Sequence, residues 1–115
     1  MLDVKKLMTK IINAFAVKET TPTKYGTKWT SGNIQVYKRS GIVTVKCNGV
    51  AISALSARTQ IATVPDGYRP VSEHGAPFDG SSVFWFVSAD GSLKVNATGA
   101  NTFWGAMTYV GGGTP

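Results

Sequence analysis

The sequence is poor in the residues that carry most protein chemistry. Among its 115 residues there is one cysteine and one histidine. A single cysteine forms neither an internal disulfide nor a cysteine zinc site, and any histidine-dependent catalytic arrangement would have to use His74. No apolar run approaches the roughly 20 residues of a membrane-spanning helix, and none follows the N-terminal lysines as in a signal peptide. We therefore expect a protein that is made in a cytoplasm and does not insert into a membrane.

Acidic residues are also scarce, six against twelve lysines and arginines, which gives a formal net charge of +6. The basic residues are dispersed, and the densest pair is Lys5-Lys6. The arginine clusters and strand-borne aromatic motifs of nucleic-acid-binding modules are missing, so we expect no nucleic-acid partner. Six of the twelve basic residues lie within residues 1–28. The positive charge therefore describes mainly the N-terminal part and says little about what the rest of the chain binds.

An apolar heptad pattern runs through the N-terminus, in Met1, Val4, Met8, Ile11 and Phe15. Its spacing predicts a helix over residues 2–17. Two heptads are too short to form a stable coiled coil alone. The stripe therefore packs either on its own domain or against other copies of the chain, where Val4, Met8, Ile11 and Phe15 would be the oligomerisation residues. We treat residues 1–17 as a trimerisation helix.

The pattern changes after this helix. Residues 18–28 contain no apolar period and are rich in Thr and Lys, which predicts a linker. From Trp29 onward, short alternating segments are separated by turn signals, as is typical of all-β sandwiches. We predict a mainly β fold, with about eight strands in a jelly-roll-like antiparallel β-sandwich head over residues 29–110. Residues 111–115 are predicted to be a flexible tail.

Two local predictions within the head depend on turn and strand signals. Asn48-Gly49 is the strongest short hairpin signal in the chain, because both residue types tolerate the positive φ of a type I′ turn. Val83–Ser88 is the most apolar segment, and we expect a strand covered on both faces. Pro65-Asp66-Gly67 and Ala89-Asp90-Gly91 are predicted turns.

The sequence contains few candidate catalytic residues. Cys47 alternates in phase with Val43 and Val45, which predicts a buried position rather than a nucleophile. Glu73 and Asp79 flank a loop and could approach as a glycosidase pair does, but nothing indicates a raised pKa for either carboxyl group. These two residues and His74 do not match a metal-binding spacing, and no phosphate-binding glycine motif occurs. We therefore predict a protein that is not an enzyme and has no metal or cofactor.

Aromatic residues remain, set among strands and polar turns. Sugar-binding surfaces use this combination, because a ring stacks on the apolar face of a pyranose while polar groups hold its hydroxyls. Trp85, between two phenylalanines, is expected in the core, and Trp104 lies in the core, in a subunit interface or at a ligand. The candidate ligand-binding residues are Trp29, Tyr37, Tyr68, His74, Asp79 and Trp104.

Four segments together carry a family resemblance: Trp29–Arg39, Gly41–Val45, Ala62–Pro70 and Ala89–Val95. Their most distinctive element is the run Val64-Pro65-Asp66-Gly67-Tyr68-Arg69-Pro70. The chain resembles, over about residues 29–110, the C-terminal head domains of tail-fibre and baseplate receptor-binding proteins of phages and prophages. Such domains often end much longer fibres, whereas here only a short segment precedes the head.

The resemblance implies a homotrimeric virion protein whose β-sandwich head binds host cell-surface saccharide. The shared motifs mark turns and strand starts, so they transfer no ligand residues. The expected function is non-enzymatic attachment, with a host glycan and other virion proteins as partners. The alternative is a purely structural tail or capsid fibre subunit that docks neighbouring virion proteins without binding glycan.

Overall fold

The structure of the chain is a computed structural model that describes residues 3–8, 17–53, 58–96 and 101–112. Residues 4–8 are helical, and the Asp3 carboxylate accepts a hydrogen bond from the Lys6 amide (3.2 Å), as an N-cap residue does. The rest of the predicted helix that precedes Val17, including Ile11 and Phe15, lies outside the described residues. Ten strands follow: β1 Lys18–Thr20, β2 Thr23–Lys24, β3 Trp29–Arg39, β4 Ile42–Ile52, β5 Thr59–Thr63, β6 Arg69–Pro70, β7 His74–Pro77, β8 Phe84–Val87, β9 Ser92–Asn96 and β10 Asn101–Gly112.

The strands form two antiparallel five-stranded sheets. One has the order β1-β3-β4-β10-β6 and the other β2-β5-β9-β8-β7. Each sheet directs one side of its alternating side chains into a shared core, which is the arrangement of a β-sandwich. The predicted fold class is therefore confirmed, as a mainly β antiparallel sandwich preceded by a short helix.

The core contains the residues whose alternation predicted burial. Cys47 and Trp85 are both fully buried, as expected. Burial raises the pKa of the Cys47 thiol to about 12, and the negative charge of Asp79 adds to this. Cys47 is thus a protonated core side chain at neutral pH rather than a reactive thiolate.

Two short strands lie inside the segment predicted as a linker. β1 pairs with β3, and β2 pairs with β5, so the segment lines an edge of each sheet. Main-chain hydrogen bonds pair these edge strands with their neighbours, and such pairing requires no apolar alternation, which is why the sequence pattern did not indicate them. The division into helix, linker and head remains a prediction.

Asn48-Gly49 does not form the predicted hairpin. β4 runs through both residues, and Gly49, with φ of 57°, lies at a β-bulge. The turn signal at residues 39–41 does form a hairpin, which joins β3 to β4 at Ser40-Gly41 with φ values of 50° and 79°. Both sites carry a turn signal that ends in glycine, so sequence alone did not distinguish the turn from the bulge.

β8 is not covered on both faces as predicted. Trp85 and Val87 point into the core, whereas the Phe84 side chain is 43% exposed on the outer face. The Phe86 ring is partly shielded by the Arg58 guanidinium, which lies 4.5 Å from its centroid. A strand of consecutive apolar residues can therefore have one face in the core and the other at the surface, where a cation covers an outward-facing aromatic ring.

The turn at residues 65–67 forms as predicted, and three hydrogen bonds stabilise it. Gly67 has φ of 88°, and the Tyr68 amide donates to the Pro65 carbonyl (3.2 Å). The buried Lys38 ammonium donates to the Gly67 carbonyl (2.7 Å), and the Tyr109 hydroxyl to the Tyr68 carbonyl (2.6 Å). The motif that carries the family resemblance therefore has a structural role.

The described chain enters and leaves the head at one end. β1 begins opposite Lys38, and the Gly111 amide near the end of β10 donates to the Gly41 carbonyl (2.8 Å). Trp104 lies six residues before Val110 along β10, which corresponds to about 20 Å. The Trp104 region thus faces away from the attachment of the N-terminal segment. Within the described ranges, no helix combines the length and apolar character needed to cross a membrane.

Candidate functional site

A cleft of about 270 Å³ opens on the outer face of the sheet that contains β4 and β10. Its side-chain lining comes from Lys46, Asn48, Asp79, Trp104 and Ala106, with Cys47 and Gly105 beneath. The cleft brings together two of the six ligand-binding candidates, Asp79 and Trp104, which are 25 positions apart in the sequence.

Alternation in β10 places Trp104 outside the sandwich. Its neighbours Phe103 and Gly105 point inward, while the Trp104 side chain remains 54% exposed. Of the three positions that the sequence left open for Trp104, the core is therefore excluded, and a subunit interface or a ligand contact remains. A large apolar ring with this much exposed surface is available for contact with a ligand or another molecule.

Asp79 reaches the cleft because Phe78 anchors its loop. The Phe78 ring is buried and stacks on Phe103 and Trp85, with ring centroids 4.3 and 5.1 Å apart. The loop approaches β10 at Gly105, where a Cβ would lie 3.5 Å from the backbone of both Phe78 and Asp79, an ordinary contact distance. The Asp79 amide then donates to the Trp104 carbonyl (2.9 Å), which leaves the Asp79 carboxylate at the rim.

The remaining polar groups come from β4. Lys46 and Asn48 are exposed on the outer face, where alternation with the buried Val45 and Cys47 places them. Sequence reasoning did not select these two residues, although their phase put them on the outer surface. What was missing was the non-consecutive pairing of β4 with β10, which sets Lys46 directly opposite Ala106. The cleft therefore offers one ammonium, one amide and one carboxylate beside an aromatic ring.

Trp29 and Tyr37 lie elsewhere. Trp29 is only 8% exposed, and its indole N–H donates to the Ser31 carbonyl (3.0 Å), so its ring has little surface for a ligand. Tyr37 lines a separate cleft of about 430 Å³ together with Val17, Arg39, Ile42 and Thr44. Its hydroxyl donates to the Gln35 side-chain carbonyl. This second cleft is at the end where the chain enters the head.

Tyr68 and His74 lie near Tyr109 and not near Trp104. The His74 and Tyr109 rings are 5.9 Å apart, and Tyr68 packs partly buried against the core. Tyr109 is five residues from Trp104 along β10, or about 17 Å. Tyr68 and His74 therefore do not contribute to the Trp104 cleft.

Glu73 does not have the environment of a general acid. The Nη2 atom of Arg58 donates to both of its carboxylate oxygens (2.7 and 2.6 Å), and the Ser88 hydroxyl donates to the same carboxylate (3.1 Å). These hydrogen bonds, that of Arg58 foremost, lower the pKa of Glu73, whereas a glycosidase acid needs a raised pKa. In the part of the chain that the structure describes, no three His, Cys, Asp or Glu residues lie together as a metal site would require.

Of the four oligomerisation residues, Val4 and Met8 lie in the described helix, and both side chains are more than half exposed. Three further apolar side chains, those of Val17, Ile42 and Val110, are exposed at the end where the chain enters the head. These surfaces have no partner within the described parts of a single chain.

No protein-family model matches the sequence, and no curated protein matches it either. Among solved structures, the chain is similar to the head domain of lactococcal phage bIL170, whose crystal structure raised the question of a common fold for the receptor binding domains of lactococcal phages. The TM-score is 0.60 at 14% sequence identity, and the match covers 83% of this chain and 98% of that one. The resemblance read from the sequence is thereby confirmed at the level of the fold.

Proposed function

We propose that the protein is a non-enzymatic phage virion protein, of a fibre or baseplate, that attaches to host cell-surface glycan through the Trp104 cleft. The observation that carries the proposal is the exposed Trp104 ring beside Asp79, Lys46 and Asn48. The shared fold with a phage head domain supports the virion setting. Synthesis in the host cytoplasm and assembly with other virion proteins belong to the same proposal.

The chemistry of the cleft suits a saccharide. An indole ring stacks on the C–H face of a pyranose. This stacking contributes most to sugar binding when the ring is already held in place by its neighbours. Lys46 and Asn48 can donate to sugar hydroxyls, while the Asp79 carboxylate accepts from them. Because one cation and one anion line the cleft, its formal charge balances, and a neutral sugar unit fits it.

The position of the cleft also favours attachment. It lies about 20 Å along the sheet from the end where the N-terminal segment joins the head. A head held at that end would present Trp104 outward, toward a surface. Binding rather than hydrolysis agrees with the paired Glu73 and the buried Cys47.

We also infer that the protein acts as a homotrimer, with residues 1–17 as the trimerisation helix, 18–28 as a linker and 29–110 as the head. The exposed Val4 and Met8, and the apolar side chains at the entry end of the head, support contact between copies. Three copies would multiply a weak sugar site, because avidity exceeds single-site affinity by roughly 10²–10⁴ when the geometry permits.

Two measurements test these proposals. Light scattering should give a mass three times the 12.2 kDa of one chain; a monomer would refute the trimer. Wild-type protein and the variant Trp104→Ala should then be compared on a glycan array, with Phe84→Ala as the matched control on the opposite sheet. We expect binding by wild type and Phe84→Ala only. A trimeric protein that binds virion components but no glycan would select the structural alternative.

A further inference from the structure

The bulge in β4 is matched by irregular pairing on both of its neighbours. Toward β10, the register passes from Phe103–Val50 to Gly105–Cys47, so Asn48 and Gly49 together face the single residue Trp104. Toward β3, it passes from Ser31–Ala51 to Asn33–Asn48, so Gly49 and Val50 together face Gly32. One extra residue in β4 is thus accommodated by both adjacent strands at the same level of the sheet.

Glycine is favoured at both positions by the backbone conformation, and at Gly32 no side chain fits. Gly49 has φ of 57° and Gly32 has φ of 86°, a region that other residues adopt only under strain. A Cβ on Gly32 would also lie 2.1 Å from the Gly49 carbonyl oxygen, a contact that the backbone cannot tolerate. The absence of a side chain at residue 32 therefore allows β3 to close on the bulge.

The Trp104 ring rests on the glycine of this bulge. The position that a Gly49 Cβ would occupy lies 3.7 Å from Cζ2 and Nε1 of Trp104, so the indole packs over a residue with no side chain. On the other side of β10, the Trp104 carbonyl accepts from the Asp79 amide (2.9 Å). The main chain of Trp104 is therefore held between the bulge and the Asp79 loop.

We propose that Gly32 and Gly49 are positioning residues for the Trp104 cleft. The pair forms the bulge that seats the indole ring beside Asn48, which strand alternation places on the same outer face. A ring that is already seated loses little conformational freedom when a sugar stacks on it, so the pair raises affinity without touching the sugar. The effect on affinity rests on the proposed glycan function, whereas the seating of the ring does not.

The direct test is acrylamide quenching of tryptophan fluorescence in Gly32→Ala. Trp29 and Trp85 are buried, so quenching reports mainly on Trp104, and subtraction of a Trp104→Phe sample isolates it. The matched control is Gly41→Ala, because Gly41 also has positive φ, at 79°, but has open space around it and lies at the opposite end of β4. We expect a changed quenching constant for Gly32→Ala and an unchanged one for Gly41→Ala.

Gly49→Ala provides a second variant in case Gly32→Ala fails to fold. Its Cβ would make an ordinary contact with the indole, so the protein should fold, and the strain at φ of 57° would act on the ring through the main chain of the bulge. Affinity for oligosaccharides of glucose and N-acetylglucosamine, measured by calorimetric titration, should fall roughly tenfold in Gly49→Ala and stay unchanged in Gly41→Ala. If Gly49→Ala and Gly41→Ala have the same quenching constant and the same oligosaccharide affinity, the positioning role is wrong. If wild type binds no sugar but the quenching differs as expected, the seating stands and the glycan function fails.

Discussion

The buried thiol of Cys47 gives the sandwich a measurable dependence on alkaline pH. Burial in the core, assisted by the charge of Asp79, raises the pKa of Cys47 from 9.0 to about 12. Above pH 9 the unfolded chain releases this proton and the folded chain keeps it. A group whose pKa is raised by folding favours the folded state fully below its unfolded pKa, and that contribution is lost as pH rises toward the folded value. Stability should therefore be constant up to about pH 8 and then fall.

The size of the effect follows from the two pKa values. Between pH 8 and pH 9.5, Cys47 should lower the free energy of unfolding by about 0.8 kcal/mol. Urea unfolding at both pH values, for wild type and Cys47→Ala, measures this directly. The variant will have lower stability at both pH values because of the cavity, but its loss between them should be smaller by that amount.

The comparison between the two proteins removes other titrating groups. Tyr109, whose pKa is raised by burial, is present in both and contributes little below pH 10. Asp79→Asn removes only a secondary cause of the raised Cys47 pKa, so its loss of stability between these pH values should equal that of wild type. Equal losses in wild type and Cys47→Ala would mean that the thiol ionises freely in the folded protein, which would contradict the β4 alternation and the burial of Cys47.

Two further substitutions have defined outcomes. Tyr109→Phe removes the hydrogen bond to the Tyr68 carbonyl (2.6 Å) and should lower the free energy of unfolding, measured in urea, by about 1 kcal/mol. Tyr25→Phe, at an exposed side chain, should leave this free energy unchanged. Equal stability of the two variants would show that this bond does not hold the turn. Glu73→Gln breaks an exposed ion pair with Arg58 and should leave both the unfolding midpoint and glycan retention close to wild type, while a loss of glycan cleavage would identify Glu73 as catalytic.

The sequence predicted the sandwich because alternation and turn chemistry are local signals. Val43, Val45 and Cys47 share a face in the structure as their spacing indicated. The turns ending at Gly67 and Gly91 adopt positive φ at the predicted glycines. In each case the deciding interactions lie within a few residues along the chain.

The remaining features depend on which strands are neighbours. Asn48-Gly49 became a bulge because β4 continues to pair with β3 on one side and β10 on the other. The meeting of Asp79 with Trp104 depends on Phe78 in the core, which stacks on Phe103, and on the hydrogen bond from the Asp79 amide to the Trp104 carbonyl, which are contacts between distant segments. Residue types alone selected Asp79 and Trp104, but only the sheet order could separate them from Trp29, Tyr37, Tyr68 and His74.

The central claim is that the Trp104 cleft attaches the protein to the bacterial surface. Its most direct test is the binding of purified protein to intact host cells and isolated cell walls, measured for wild type, Trp104→Ala and Phe84→Ala at equal oligomeric state. We expect saturable binding by wild type and Phe84→Ala, and loss of binding by Trp104→Ala with an unchanged unfolding midpoint. Binding by Trp104→Ala that equals wild type would contradict the claim.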